Sequence, residues 1–172
     1  MMGNAQAGIT FAPQDRAMQV VTSNRYAVLG DVPLEAGLAV CIAIAVRGKG
    51  LIHLLPVMSN ENGLPGESMM MNSVDMIKKY LDAIGYKAGD EVHVIYSQRG
   101  NYMNYGITPS FLELLVPKAT YVMQGDYPRI VRMTNGSLWY EENGKDVVVY
   151  GTGSTVFASS EPVKGRYKGR IY

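Results

Sequence analysis

Cys41 is the only cysteine of the chain, and His53 is one of its only two histidines. A thiol held beside an imidazole is the minimum equipment for nucleophilic attack on an amide or ester carbonyl, with the ring taking the proton and the thiolate attacking. The intervening segment favours such a meeting. Leu38 to Val46 is an apolar run, Arg47-Gly48-Lys49-Gly50 is a turn, and Leu51 to Leu55 is a second apolar run, so 38–55 reads as a hairpin of two neighbouring strands. Cys41 and His53 are twelve residues apart, an even separation, and an odd-numbered loop sets them directly opposite each other on one face. Directly opposed residues have Cβ atoms about 4.5–5.5 Å apart, within reach of a thiol-to-imidazole hydrogen bond. A plainer reading stays open: a cysteine within Val40-Cys41-Ile42-Ala43 also serves as a small core residue. His53, among leucine and isoleucine, needs a polar partner, and Cys41 supplies one.

Other chemistries find little support. The second histidine, His93, alternates with Val92, Val94 and Tyr96, and nothing ties it to Cys41. One cysteine and two scattered histidines lack the spacing of metal ligands, so no metal is expected. No serine nucleophile elbow is present, and the glycines do not follow a strand in a phosphate-cradling pattern, so no cofactor is expected. A net charge of +1 argues against a nucleic-acid partner. The basic segment Lys164-Gly165-Arg166-Tyr167-Lys168-Gly169-Arg170 is the local exception and reads as a solvated tail. No apolar run approaches the roughly 18 residues of a membrane span. A single cysteine allows no intrachain disulfide, and Met1 to Gln6 lacks the basic and apolar regions of a secretory signal. The expected location is the bacterial cytoplasm, or a host cell's cytosol reached by a non-classical export route.

The elements around this pair follow from pattern. At 172 residues and 47% hydrophobic composition, the chain can build one domain, 1–172, with a real core. Residues 1–16 and 164–172 read as loosely ordered ends. Residues 18–22 and 26–29 read as short strands, and 56–67 is a loop rich in proline, asparagine and glycine. Met70, Val74, Ile77, Leu81 and Ile84 form one apolar stripe, predicting a helix over 69–84 that Gly85 ends. Residues 91–97 read as a strand. The loop 98–107 contains Asn101, Tyr102 and Asn104, side chains suited to gripping a substrate, since loops carry recognition. Thr108-Pro109 predicts a capped short helix through Leu115, stopped at Pro117. Asn135-Gly136 and Asn143-Gly144 predict turns joining strands 129–134, 137–142 and 145–150. This order implies an α+β sandwich of mostly antiparallel sheet with helices packed on its faces.

The stretch Glu35-Ala36-Gly37-Leu38-Ala39-Val40-Cys41-Ile42-Ala43-Ile44, followed by His53-Leu54-Leu55-Pro56, resembles the CheD chemoreceptor glutamine deamidases. The deamidase fold of that family is shared by the cytotoxic necrotizing factor catalytic domain and by Burkholderia lethal factor. The short gap between Cys41 and His53 looks most like the lethal-factor toxins. The order of elements is similar over roughly residues 25–150. The chain departs from the family pattern at Ala39-Val40, where the family has Gly-Ser, and at Glu35, where it has threonine. The resemblance implies a CheD/necrotizing-factor-like fold and a protein substrate presenting a glutamine side chain. It implies Cys41 as nucleophile, His53 as base and Glu35 in the place of the residue that orients the histidine. Hydrolysis of that glutamine to glutamate by a toxin or effector is the expected activity, with a host translation factor or small GTPase as target class. A chemoreceptor deamidase is the alternative within the fold. A non-catalytic binding module with Cys41 in its core is the alternative outside it.

Overall fold

The computed structural model describes residues 18–38, 41–55, 67–96, 107–122, 129–142 and 144–151. Among them the chain forms two five-stranded sheets and two helices. The first sheet contains β1 (Gln19–Val20), β3 (Leu34–Leu38), β8 (Arg129–Met133), β9 (Leu138–Glu142) and β10 (Lys145–Tyr150), side by side in that order. The second contains β2 (Arg25–Val28), β5 (Gly50–Leu54), β4 (Ile42–Val46), β6 (Val92–Tyr96) and β7 (Thr120–Val122), also in spatial order. Pairing is antiparallel except for β1 with β3 and β6 with β7. The mixed α+β, mostly sheet architecture is as the pattern predicts.

The two sheets pack face to face. Leu34, Ala36, Leu38, Val131, Met133, Leu138 and Tyr140 of the first meet Ala27, Cys41, Ala43, Ala45, Leu51 and Ile95 of the second in one buried cluster. The other face of the second sheet carries Ile42, Ile44, Val46, Ile52, Leu54, Val92, Val94 and Tyr96 beneath the helices. Every residue of β4, β5 and β6 is therefore buried, which is why these strands read as unbroken apolar runs rather than as alternation.

Helix α1 (Glu67–Ile84) lays Ile77, Leu81 and Ile84 on this face and keeps Lys78, Lys79 and Asp82 in solvent. It ends as its glycine requires. Gly85 takes φ +89°, its N–H donates to Asp82 O (3.0 Å), and Tyr86 N–H donates to Leu81 O (2.9 Å), the paired bonds of a Schellman cap. Helix α2 (Pro109–Leu112) starts from Thr108, whose hydroxyl accepts from the Phe111 N–H. It is shorter than the expected span to Leu115 and continues only as turns. Both helices cover the second sheet, so the expectation of helices on the faces of the sandwich holds for one outer face.

Where the helix crosses β5 the fit is tight. A Cβ on Gly50 would stand 2.5 Å from Ala27 O and 2.9 Å from Ile84 Cγ2. The backbone oxygen cannot swing away, so Gly50→Ala should lose about 1–3 kcal/mol in urea unfolding.

The predicted hairpin 38–55 is corrected in two respects. Leu38 belongs to β3 in the first sheet, and the chain has changed sheets by Ile42, so the hairpin proper is β4 and β5. A long apolar run does not announce where it passes from one buried sheet to another. Its turn is Arg47-Gly48-Lys49, with Gly48 at φ +75°. The register then pairs His53 with Ala43, not with Cys41. The hairpin centres on Gly48, one residue beyond the centre that direct opposition needs.

Candidate functional site

Parity places Cys41, Ala43 and His53 on the same face of the second sheet, looking toward the first. Cys41 lies one step diagonal to His53, and diagonal neighbours stand about 7–8 Å apart. Among the described residues His53 Nε2 has no hydrogen-bond partner, so the expected thiol-to-imidazole hydrogen bond is not made. Both residues are only 1% exposed.

The imidazole is nevertheless held like a base. His53 Nδ1 donates to the backbone carbonyl of Val21 at 2.6 Å. That bond fixes the proton on Nδ1 and leaves the lone pair on Nε2. Burial pushes the ring below the ordinary histidine value, and the Val21 contact offsets this only in part. His53 is therefore neutral at pH 7 with Nε2 ready to accept a proton.

The Val21 carbonyl is presented by the short connection from β1 to β2. Val21 N–H donates to Glu35 O (2.8 Å), anchoring it on the first sheet. Ser23 Oγ lies 3.8 Å from Cys41 Sγ. Asn24 takes φ +57°, its N–H donates to His53 O (2.7 Å), and its Oδ1 accepts from Leu55 N–H (3.0 Å). Tyr80 of α1 closes the turn from outside, donating to Asn24 O at 2.7 Å. Val21, Ser23, Asn24 and Tyr80 were not singled out from the sequence. The polar triplet Thr22-Ser23-Asn24 after Val20-Val21 was the available signal for a turn, but not for what it would touch.

The third candidate is not brought to this site. Leu34, Ala36 and Leu38 face the core, so Glu35 points to the other face of the first sheet. There it pairs in register with Arg132, and Glu35 Oε2 lies 3.6 Å from Arg132 Nε. The Arg132 guanidinium stands 4.8 Å over the Trp139 ring, and all three residues are buried. The carbonyl of Val21, not the Glu35 carboxylate, orients His53. The proposed grip residues Asn101, Tyr102 and Asn104 lie outside the described residues.

His93 also faces the first sheet, but at the opposite end of the β4 line, paired with Ala45. Four residues separate Ala45 from Cys41, about 13 Å at the strand rise. Its Nε2 donates to Glu91 Oε2 at 2.6 Å, and Arg47 Nη1 meets the same carboxylate at 3.0 Å. Those two partners, the His93 hydrogen bond first, hold the Glu91 carboxyl below its usual range. Arg47 also lies 4.2 Å over the Tyr150 ring, and burial pushes that phenol up to about 12. This is a clamp between sheet ends, remote from Cys41. Among the described residues no group of three side chains is placed to hold a metal ion, and no helix is long and apolar enough to cross a membrane.

No family model, no curated protein and no solved structure matches this chain.

Proposed function

We propose that the chain is a protein glutamine deamidase of the CheD/necrotizing-factor type, using Cys41 as nucleophile and His53 as base. The observation that carries this reading is the His53 ring: neutral, fixed through Nδ1 on a backbone carbonyl, with a buried unpartnered Nε2 on the face it shares with Cys41. A buried polar nitrogen left unpartnered costs about 1–3 kcal/mol; His93 Nδ1 is in the same state, and what sets His53 apart is that its lone pair lies on the face it shares with the thiol. In the reaction, Nε2 takes the thiol proton and Sγ attacks the carboxamide carbon of a glutamine. Backbone N–H groups beside Cys41 stabilise the oxyanion. The imidazolium returns its proton to the leaving nitrogen, which departs as ammonia. Water, deprotonated by His53, then cleaves the thioester, leaving glutamate and the free thiol. Catalytic contacts often tighten only with substrate in place, and the reaction requires the Cys41–His53 contact to form there.

The toxin resemblance proposes a host translation factor or small GTPase as target; a chemoreceptor is the alternative. Incubating the chain with cell lysate and mapping glutamine-to-glutamate conversion by mass spectrometry tests the activity and names the target together. Conversion that depends on Cys41 supports the proposal; its absence in both host and bacterial lysates removes it.

The burial of both side chains favours a second reading, a binding module with Cys41 as core. An alkylating reagent separates the two, because the chain has no other thiol. A catalytic Cys41 reacts in the folded protein, whereas a core cysteine reacts only as fast as the protein unfolds.

His53 also sets a pH dependence. Its folded value is lowered, so below about pH 6.5 the unfolded chain binds a proton that the folded chain refuses. The His53 contribution to stability is therefore constant above that value and turns unfavourable as pH falls through the window beneath it. The acid limb of the deamidation profile should lie below pH 6.5, and the urea midpoint of the parent should fall more steeply toward pH 5 than that of His53→Gln.

A further inference from the structure

We propose that Asn24 is a positioning residue for the Cys41–His53 pair, acting through the turn it closes. Its bearing on catalysis rests on the deamidase reading; its structural part does not. At His53 the strand β2 has only just begun, so the His53 carbonyl and the Leu55 N–H face a place where a neighbouring backbone is incomplete. Asn24 fills both needs, giving its own N–H to His53 O and its Oδ1 to the Leu55 N–H. It does so from the left-handed region at φ +57°, a conformation that asparagine tolerates better than most side chains. The same turn holds Val21 O on the His53 ring and Ser23 Oγ against Cys41 Sγ. The backbone of His53, its ring and the thiol are thus all referred to one short segment. Tyr80 fastens that segment to α1 through the Asn24 carbonyl.

Three substitutions separate the contributions. Asn24→Asp keeps an oxygen for the Leu55 N–H and tolerates positive φ. Asn24→Gly keeps the backbone conformation and removes the oxygen. Tyr80→Phe removes only the outer bond. Nitrogen-15 spectra of the imidazoles report the tautomer of His53 directly, each histidine assigned by its replacement with Gln. The parent and Asn24→Asp should show one Nδ1–H tautomer. Asn24→Gly should show a mixture of tautomers together with at least a tenfold rise in the rate of Cys41 alkylation by iodoacetamide. A parent-like spectrum and alkylation rate in Asn24→Gly would overturn the proposal. Should Asn24→Gly not fold, Tyr80→Phe must show the same changes in smaller measure, and a parent-like result there overturns it as well. Neither readout involves glutamine, so failure of the deamidase reading and failure of this proposal are told apart.

Discussion

Cys41→Ser is expected to fold like the parent and to lose glutamine deamidation by on the order of 10³-fold or more. The two halves of that result have separate causes. Serine and cysteine are close in size, and Ser23 Oγ stands 3.8 Å from Cys41 Sγ, so a buried hydroxyl at position 41 has a polar neighbour that a shift of about 1 Å brings to the usual O–H···O distance. Stability should stay within about 1 kcal/mol of the parent in urea unfolding. Chemistry is far less forgiving. A thiol gives up its proton to an imidazole such as His53 readily, whereas a serine hydroxyl needs an oriented base already in contact, and His53 Nε2 makes no such contact here. Mass spectrometry of the target peptide and a urea titration of the same preparation read the two quantities. A variant that still converts glutamine at the parent rate would place the nucleophile elsewhere. A variant as inactive as an equally inactive parent would leave Cys41 a core residue whose 1% exposure needs no further reason.

What could be read from the sequence was what local rules decide. The stripe Ile77, Leu81, Ile84 and the stop at Gly85 are written in spacing and in one residue's conformational freedom. Thr108-Pro109 and Asn135-Gly136 are likewise local, and the structure has the cap and turn where those residues place them. The shared face of Cys41 and His53 followed from parity within one hairpin, which survives any shift of register by a pair. The offset itself depended on which residue of Arg47-Gly48-Lys49-Gly50 centres the turn. The Val21 carbonyl was out of reach for a different reason: every residue carries a carbonyl, so a backbone group that orients a ring leaves no signature in side-chain types.

Glu35 was placed at the site by the resemblance alone, and a change of sheet shows why a position six residues before the cysteine does not reach it here. Counted along a continuous strand, 35 and 41 have the same parity and share a face. The chain instead leaves the first sheet after Leu38 and has entered the second by Ile42, so the count restarts between them. Glu35 then lands on the face away from His53, while its backbone carbonyl still reaches Val21 and so supports the ring at one remove.

That placement predicts opposite outcomes for two roles of Glu35. As an orienting carboxylate it would make Glu35→Gln slow by about 10⁴-fold at unchanged stability, the signature of losing such a partner in a hydrolytic triad. As the buried partner of Arg132 it should do the reverse. Glu35→Ala leaves the Arg132 guanidinium buried with one carboxylate fewer, and breaking a buried pair from one side costs about 3–5 kcal/mol. The expected result is a large fall in the urea midpoint, a smaller fall for Glu35→Gln, and a deamidation rate per folded molecule within a factor of about three of the parent for both, since the backbone carbonyl that holds Val21 survives either change. Replacing both partners with apolar residues, Glu35→Leu with Arg132→Met, should recover part of the loss, because the buried guanidinium is removed together with the carboxylate that faced it. A slow, fully stable Glu35→Gln would instead bring the carboxylate back to His53.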